Sequence, residues 1–398
     1  MLVVNCYNAV LFHQLFCSLL FMRVNPFSSS RLYRTLLTLM VGCSLMFAVA
    51  VSAQVPSYLR TEVPVKDQSQ KERNAAAELG LLDVLVRMSG TENVRFDDAI
   101  LQASSQAINF VEQFQYAELT DQALQAEGYV NIMQMTFSQR ILKSLLRDAE
   151  HKFWSTNRPT TLVWLVEDHL DYGKQFVQAV NLDAPVVEGL TSAAKYRGLP
   201  LSFPLLDFQD QIALSAERVW ELDEGAILAA SERYSPDVIL VGKYTVTSSG
   251  QFLSNWQFFH AGENRVYDRR AQEAQSIGEA AISPLANYLA EKYAINLSVG
   301  DRRYFALQIK NIQRFSDYKG LLGLLKRQDS VVDVHLDEVS HDELNLRVRS
   351  EATVEQFISM LKLDDSLVLE PARDSTLPTW QRLERGSDIN PLVYRWAP

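Results

Sequence analysis

Cysteine is nearly absent from this chain: there are three in 398 residues, Cys6, Cys17 and Cys43, and all lie within the first 53 positions. The same 53 positions contain no Asp or Glu and only three cations, Arg23, Arg31 and Arg34. Loss of that segment would leave a protein without a thiol. Such a protein can form no disulfide, no thiolate-ligated zinc site and no cysteine nucleophile. Several motifs are missing as well. There is no Gly-rich dinucleotide fingerprint, no phosphate loop ending in Gly-Lys-Ser/Thr, no Gly-x-Ser-x-Gly elbow and no His-Glu-x-x-His. Gly242-Lys243 is not a phosphate loop, because Asp237 stands where its first glycine belongs and Tyr244 replaces the hydroxyl ligand. Basic residues are in deficit, 38 Lys and Arg against 48 Asp and Glu, for a net charge of −10. With no cationic cluster among them, nucleic acid is excluded as a general partner.

What the first 53 residues do contain is an address. Arg31 and Arg34 precede an apolar run from Leu36 to Val51, and Val51-Ser52-Ala53 forms a small-residue cleavage site before Gln54. That order is a secretory signal and predicts export to the periplasm. The stretch from Met1 to Phe21 is also apolar, and a start at Met22 gives a leader of ordinary length. Two alternatives tie the protein to a membrane through this segment: retention of the apolar run as an anchor, or acylation at Cys43 after Val41-Gly42. Cutting after Ala53 leaves 35 Lys and Arg against 48 Asp and Glu, a charge of −13.

The remaining chain has 47% hydrophobic residues over the whole sequence to draw on, enough for two or three cores. Over 54–296 the pattern predicts an α/β domain that opens with helices. Ser69-Gln70-Lys71-Glu72 reads as a capping box, and Leu79, Leu82, Leu85 and Val86 recur at helical spacing. A second amphipathic stretch covers Asp97 to Gln115, Tyr129 to Phe137 is a strand, and Gln139 to Phe153 is a helix. Thr161 to Val166 and Val238 to Val241 are continuous apolar runs, the signature of strands buried on both faces. Helices at Asp183 to Gly198, Asp223 to Tyr234 and Ala271 to Tyr293, a strand at Leu201 to Leu206 and a hairpin at Phe252 to Tyr267 complete a mixed α/β sandwich. Residues 297–370 spell βαββαβ, the ferredoxin-like order. Residues 371–398 form a tail with Pro371, Pro378, Pro391, Trp380 and Trp396 that packs back or docks elsewhere. The expected fold class is therefore α/β and α+β, a central sandwich followed by a ferredoxin-like domain.

Several short words carry a family resemblance. Glu62-Val63-Pro64-Val65, Asp67-Gln68-Ser69, Arg73-Asn74-Ala75 and Val84-Leu85-Val86-Arg87-Met88-Ser89-Gly90 resemble the opening of an exported Gram-negative family known as a domain of unknown function, number 2066. Arg197-Gly198-Leu199-Pro200, Pro204-Leu205-Leu206-Asp207, Val219-Trp220, Arg233-Tyr234 and Trp256 extend the resemblance to about Tyr293. It implies an envelope location and supplies no catalytic residues.

Chemistry-bearing residues are sparse. Ligands of open α/β sheets sit beyond the carboxyl ends of the strands, where the sequence puts Asp168 and His169 after one strand and Asp207 after another. These three are the candidate ligands of a metal-dependent hydrolase. Acidic residues at strand ends also cap helices, and that reading takes precedence. Trp154, Trp164, Trp220 and Trp256 are expected in the core rather than on a sugar platform. The expected function is thus a non-catalytic periplasmic cell-envelope protein without a cofactor, which binds an envelope protein or component. Membrane contact would come only through its N-terminus. The hydrolase is the alternative.

Overall fold

A computed structural model describes residues 57–178, 184–297, 303–372 and 382–397. Chain contacts divide the protein into Met1–Gln54 and Val55–Pro398, and every described residue belongs to the second unit. The expected leader and cleavage site lie outside the described residues, as do Asp183, Pro378 and Trp380. No described helix is long and apolar enough to cross a membrane.

The chain begins with a small layered unit. It runs through strand β1 (Arg60–Val65), helix α1 (Gln70–Ser89), α2 (Asp98–Ser104), β2 (Val111–Glu118), α3 (Gln122–Ala126), β3 (Asn131–Phe137), α4 (Gln139–Asp148) and β4 (Lys152–Phe153). The first three strands form an antiparallel sheet in the order β1-β3-β2, with α1 on one face. Ser69 caps α1 by accepting the Glu72 N–H at 3.2 Å, and Gly90 ends it in the left-handed conformation (φ 74°). Of the residues at helical spacing, Leu85 and Val86 are fully buried together with Leu81, Val84 and Met88, Leu82 packs partly buried against the same core, and Leu79 is half exposed. Gly80 sits where the helix approaches the sheet. A Cβ there would stand 2.7 Å from Thr61 Cγ2 and 2.8 Å from Met135 Cε, so only glycine lets the helix lie this close to the sheet. The amphipathic stretch predicted from Asp97 to Gln115 breaks at Ser104, and its second half is the edge strand β2. Alternation of the Val-Glu-Gln-Phe-Gln-Tyr type pairs with β3 and wins over the helical period.

The central unit carries β5 (Thr161–His169), β6 (Gly173–Phe176), α5 (Pro185–Arg197), β7 (Leu201–Ser202), α6 (Phe208–Ala213), α7 (Ala216–Trp220), α8 (Glu224–Ser231), β8 (Val238–Val246), β9 (Phe252–His260), β10 (Glu263–Ala271), α9 (Ala274–Tyr293) and β11 (Ile295–Asn296). Its sheet has the order β10-β9-β8-β5-β6, with β7 beside the start of β5. The β5–β8 and β5–β7 pairs are parallel and the rest antiparallel, so the sheet is mixed. Its two apolar runs are buried on both faces as their composition requires. Val163, Leu165, Val238 and Leu240 face α5 and α9, whereas Leu162, Trp164, Val166, Ile239 and Val241 face α7 and α8. Each such side chain contributes about 1.5–3 kcal/mol of burial, which makes these two strands the energetic centre of the unit. On the outer layer α5 and α9 cross at Gly189 and Gly278, where an added Cβ would lie 2.0 Å from the Gln275 carbonyl oxygen and 2.1 Å from that of Val186.

The C-terminal unit follows as β12 (Arg303–Lys310), α10 (Phe315–Arg327), β13 (Val331–Ser340), β14 (Glu343–Ser350), α11 (Val354–Leu361), β15 (Leu367–Leu369) and β16 (Leu392–Trp396). Its order to β15 is the βαββαβ read from the sequence. The sheet, however, runs β13-β14-β12-β16-β15. Part of the tail thus becomes an interior strand, parallel to β12 and antiparallel to β15, with Tyr394 fully buried. Asp329 ties this unit to α4 of the N-terminal unit and to the segment entering β5, accepting from the Thr156 amide and hydroxyl at 3.0 and 2.9 Å and from Gln139 at 3.1 Å.

Candidate functional site

The carboxyl end of β5 does not open onto a crossover helix. The strand turns back into β6, with Asp168 opposite Lys174 and His169 opposite Gly173. His169 accepts the Asp171 N–H through Nδ1 at 3.1 Å and lies against Tyr172, with ring centroids 5.0 Å apart. Asp207 is engaged elsewhere. It caps α6 by accepting the Asp210 N–H at 3.0 Å, and its two oxygens take both terminal nitrogens of Arg233 at 2.9 and 3.0 Å. That bidentate pairing holds its carboxyl at about 2, well below the ordinary range. The adjacent Asp210 is 1% exposed and accepts from Leu206 N–H, Arg233 and the Tyr234 hydroxyl. Asp207 and Asp210 therefore pin the 203–213 segment to Arg233. Among the described residues no three His, Asp or Glu side chains are arranged to hold a metal ion.

The tryptophans do not line a sugar platform either. Trp154, Trp164 and Trp256 are fully buried. Trp164 donates to Ser231 Oγ and Trp256 to Ser254 Oγ, each at 2.9 Å. Trp220 is partly exposed, but Lys174 and Lys243 lie over its ring at 5.6 and 5.5 Å. His260 is buried between two tyrosines, its Nδ1 3.1 Å from the Tyr288 hydroxyl and its Nε2 2.9 Å from that of Tyr293.

A wide concavity lies at the opposite end of the central strands. It is a crevice of about 680 Å³ between the N-terminal unit and α5, within the size range of small-molecule sites. One wall is built by Tyr58, Arg60, Glu62, Asp83 and Arg87 from β1 and α1. The other comes from Thr156, Arg158, Ser192, Lys195, Tyr196 and the Gly198-Leu199-Pro200 turn. Pro200 belongs at the amino end because its carbonyl accepts the Thr161 N–H that opens β5. Gly198 closes α5 in the left-handed conformation (φ 71°), and a side chain there would meet Arg158 Nη1 at 2.3 Å.

Arginines organise this region. Arg158 is 7% exposed and gives every bond to a main-chain carbonyl: Nε to Ser155, Nη1 to Arg197 and Gly198, Nη2 to Arg87 and Trp154. It also stacks on Trp154 with 4.5 Å from Cζ to the ring centroid. Burial lowers its pKa to about 10, and the charge of Arg87 acts in the same direction. Arg87, 8% exposed, donates from Nη1 to the Arg60 carbonyl at 2.7 Å and from Nε to the Asp83 carbonyl at 3.3 Å. The Asp83 carboxylate pairs with Arg95 at 3.2 Å, and Arg95 in turn donates to Tyr196 Oη at 2.6 Å. On the far side of α5, Arg197 is 1% exposed and joins Glu92, the Gly90 carbonyl and Asn287. The Arg197-Gly198-Leu199-Pro200 word is thus a junction of three segments. None of these assignments was readable from spacing, because the crevice gathers residues from four distant stretches. The one local signal was the arginine inside the apolar word Val84-Leu85-Val86-Arg87-Met88, a cation with no business in a core unless it has a special partner.

Comparison with known proteins adds a boundary. The model of a family described as Domain of unknown function (DUF8605) matches residues 52–155, about a quarter of the chain. That span covers β1 through β4 and stops just short of the central sheet. It is a different family from domain of unknown function 2066, and the resemblance to the latter is overturned. The words that suggested it are a β1 strand, a helix cap and a left-handed helix end, pieces that any helix closed by glycine against a sheet reproduces. No curated protein matches the chain. A solved structure titled "Crystal structure of uncharacterized protein" aligns with 34% of this chain and 91% of its own at 11% identity and a TM-score of 0.17, a similarity too low to assign a fold.

Proposed function

We propose that this protein is a non-catalytic component of the cell envelope, exported to the periplasm, that acts by binding another envelope component in the crevice between its N-terminal unit and α5. The crevice carries the reading. Its walls are two separately built units held by buried arginine-to-carbonyl bonds, a preformed cleft of the kind that receives a ligand. The leader composition supports export. The C-terminal unit is read as a ferredoxin-like module whose sheet has taken in one extra strand, β16, and which buttresses the segment entering β5 through Asp329.

The test places a photo-crosslinking amino acid at exposed Ser192, which lines the crevice, in the tagged full-length chain in intact cells. The control position is Lys319 on α10. A stoichiometric adduct from Ser192 and not from Lys319, on a chain whose mass starts at Gln54, is the expected result. Equal or absent labelling at the two positions overturns the crevice as the binding surface. A mass that retains Met1 or Met22 overturns cleavage.

A further inference from the structure

We propose that the crevice is a site for a small oxyanion-bearing molecule, a carboxylate or a phosphate, held by Arg60, Arg87 and Lys195. This inference rests on the crevice being the binding surface and names what it binds.

The argument is one of uncompensated charge. The lining holds four cations, Arg60, Arg87, Arg158 and Lys195, against two carboxylates, Glu62 and Asp83, in a protein whose net charge is −10. The carboxylates offset the cations only in part. Asp83 acts on Arg87 but is ion-paired with Arg95, and Glu62 reaches Lys195 at only 3.9 Å where both side chains are more than half exposed. Arg158 has no carboxylate within ion-pair distance among the described residues. The nearest that acts on it is Asp329, whose oxygens are taken by Thr156 and Gln139. Carbonyl oxygens satisfy the N–H groups of a guanidinium without cancelling its charge, and a buried charge is ordinarily paired.

The cations also stand in series. Arg158 donates to the Arg87 carbonyl and Arg87 donates to the Arg60 carbonyl, so two buried guanidinia follow one another towards β1. Arg87 keeps one terminal nitrogen, Nη2, without an acceptor among the described residues where the side chain borders the crevice. The Tyr58 ring lies under Arg158, 5.9 Å from its Cζ, and its hydroxyl is buried with no partner among the described residues. An oxyanion entering the crevice would supply the missing acceptor and the missing counter-charge together. Low-dielectric walls focus the field of the cations into the cleft, and guanidinium geometry favours planar or tetrahedral oxyanions.

The experiment uses the purified full-length chain and follows thermal unfolding on titration with inorganic phosphate or succinate, with sodium chloride at equal ionic strength as reference. Expected is a saturable rise in Tm with phosphate, succinate or both, and no such rise with chloride. The preferred anion then identifies the head group. Arg60→Gln with Lys195→Gln removes two exposed side-chain heads from the rim and is expected to raise the apparent Kd at least tenfold, while Lys319→Gln leaves it unchanged. Arg87→Gln also cuts the tie to β1, so the exposed pair carries the test. Failure of both anions to exceed chloride, or a double variant that binds like the parent, overturns the proposal. If Ser192 still crosslinks in cells under that outcome, the oxyanion assignment alone falls. If Ser192 is silent as well, the crevice reading falls with it.

Discussion

His260 makes the acid sensitivity of this protein calculable. Its ring is 4% exposed at the end of β9, and each nitrogen lies within hydrogen-bond distance of a tyrosine hydroxyl. Neutral imidazole suits that site, with one N–H donating and the other nitrogen accepting. Protonation would bury a cation that Lys292 repels and that Asp237 and Glu263 attract more weakly than burial opposes it. Burial first and Lys292 second push its pKa down from 6.5 to about 4. A depressed histidine pKa means that the unfolded chain binds the proton first, so stability is complete above about pH 6.5 and falls as the pH drops towards 4. The full span is about 3 kcal/mol at about 1.4 kcal/mol per unit. At pH 5 the loss already amounts to about 2 kcal/mol. The depressed carboxylates Asp207, Asp223 and Glu370 act in the same direction, but only below about pH 4, the ordinary carboxylate range, so the two windows separate. Urea unfolding monitored by tryptophan fluorescence at pH 7.5, 6 and 5 reads the effect. The parent should lose about 2 kcal/mol across the series, while His260→Phe, less stable throughout, should show a nearly flat profile. Parallel slopes for the two proteins would refute the burial argument.

Other perturbations test separate parts of the structure. Gly189→Ala sets a methyl group 2.0 Å from the Gln275 carbonyl on the facing helix and should cost about 2 kcal/mol or more by forcing α5 and α9 apart. Gly225→Ala in α8, whose nearest neighbour would be Asp223 Oδ1 at 3.8 Å, should leave the urea midpoint unchanged or raise it, and equal losses at both positions would refute the crossing argument. Asp210→Ala strips the acceptor from Leu206, Arg233 and Tyr234 and should cost about 3 kcal/mol, with faster limited proteolysis within 203–213. His169→Ala should change neither stability by more than about 0.5 kcal/mol nor the response of Tm to phosphate. Loss of that response would move the site back to the carboxyl end of β5.

How far the sequence discloses this fold depends on whether the decisive contact is local. Thr161 to Val166 and Val238 to Val241 announce buried strands because every residue is apolar, and each does face a core on both sides. Gly198 and Asp207 declare a helix end and a helix cap by residue type alone, and both do so. On α1 the spacing read Leu85 and Val86 into the core and missed at Leu79, while the close approach at Gly80 depends on Thr61 and Met135, which are distant in sequence. The insertion of β16 has the same cause. Leu392 to Trp396 is interrupted by Arg395 and follows Pro391, so it reads as tail, and its pairing with Leu307 to Lys310 spans more than 80 residues.

Among the described residues the strand-end candidates Asp168, His169 and Asp207 form no metal-holding group, and the topology gives the reason. Ligands gather beyond the carboxyl ends of parallel strands when each strand leads into a crossover helix, since neighbouring helices on opposite faces then leave a gap. Here β5 leads into β6 and β8 into β9, so antiparallel partners occupy that end. The helices return instead at the amino ends, where Pro200 precedes β7 and its carbonyl accepts the Thr161 N–H at the start of β5. An additional layer, β1 with α1, abuts that end and forms the second wall. Arg158 holds the walls together by bonding to the carbonyls of both Arg87 and Gly198. The same bonds leave it without a counter-ion, so the contact that builds the crevice also gives it its charge.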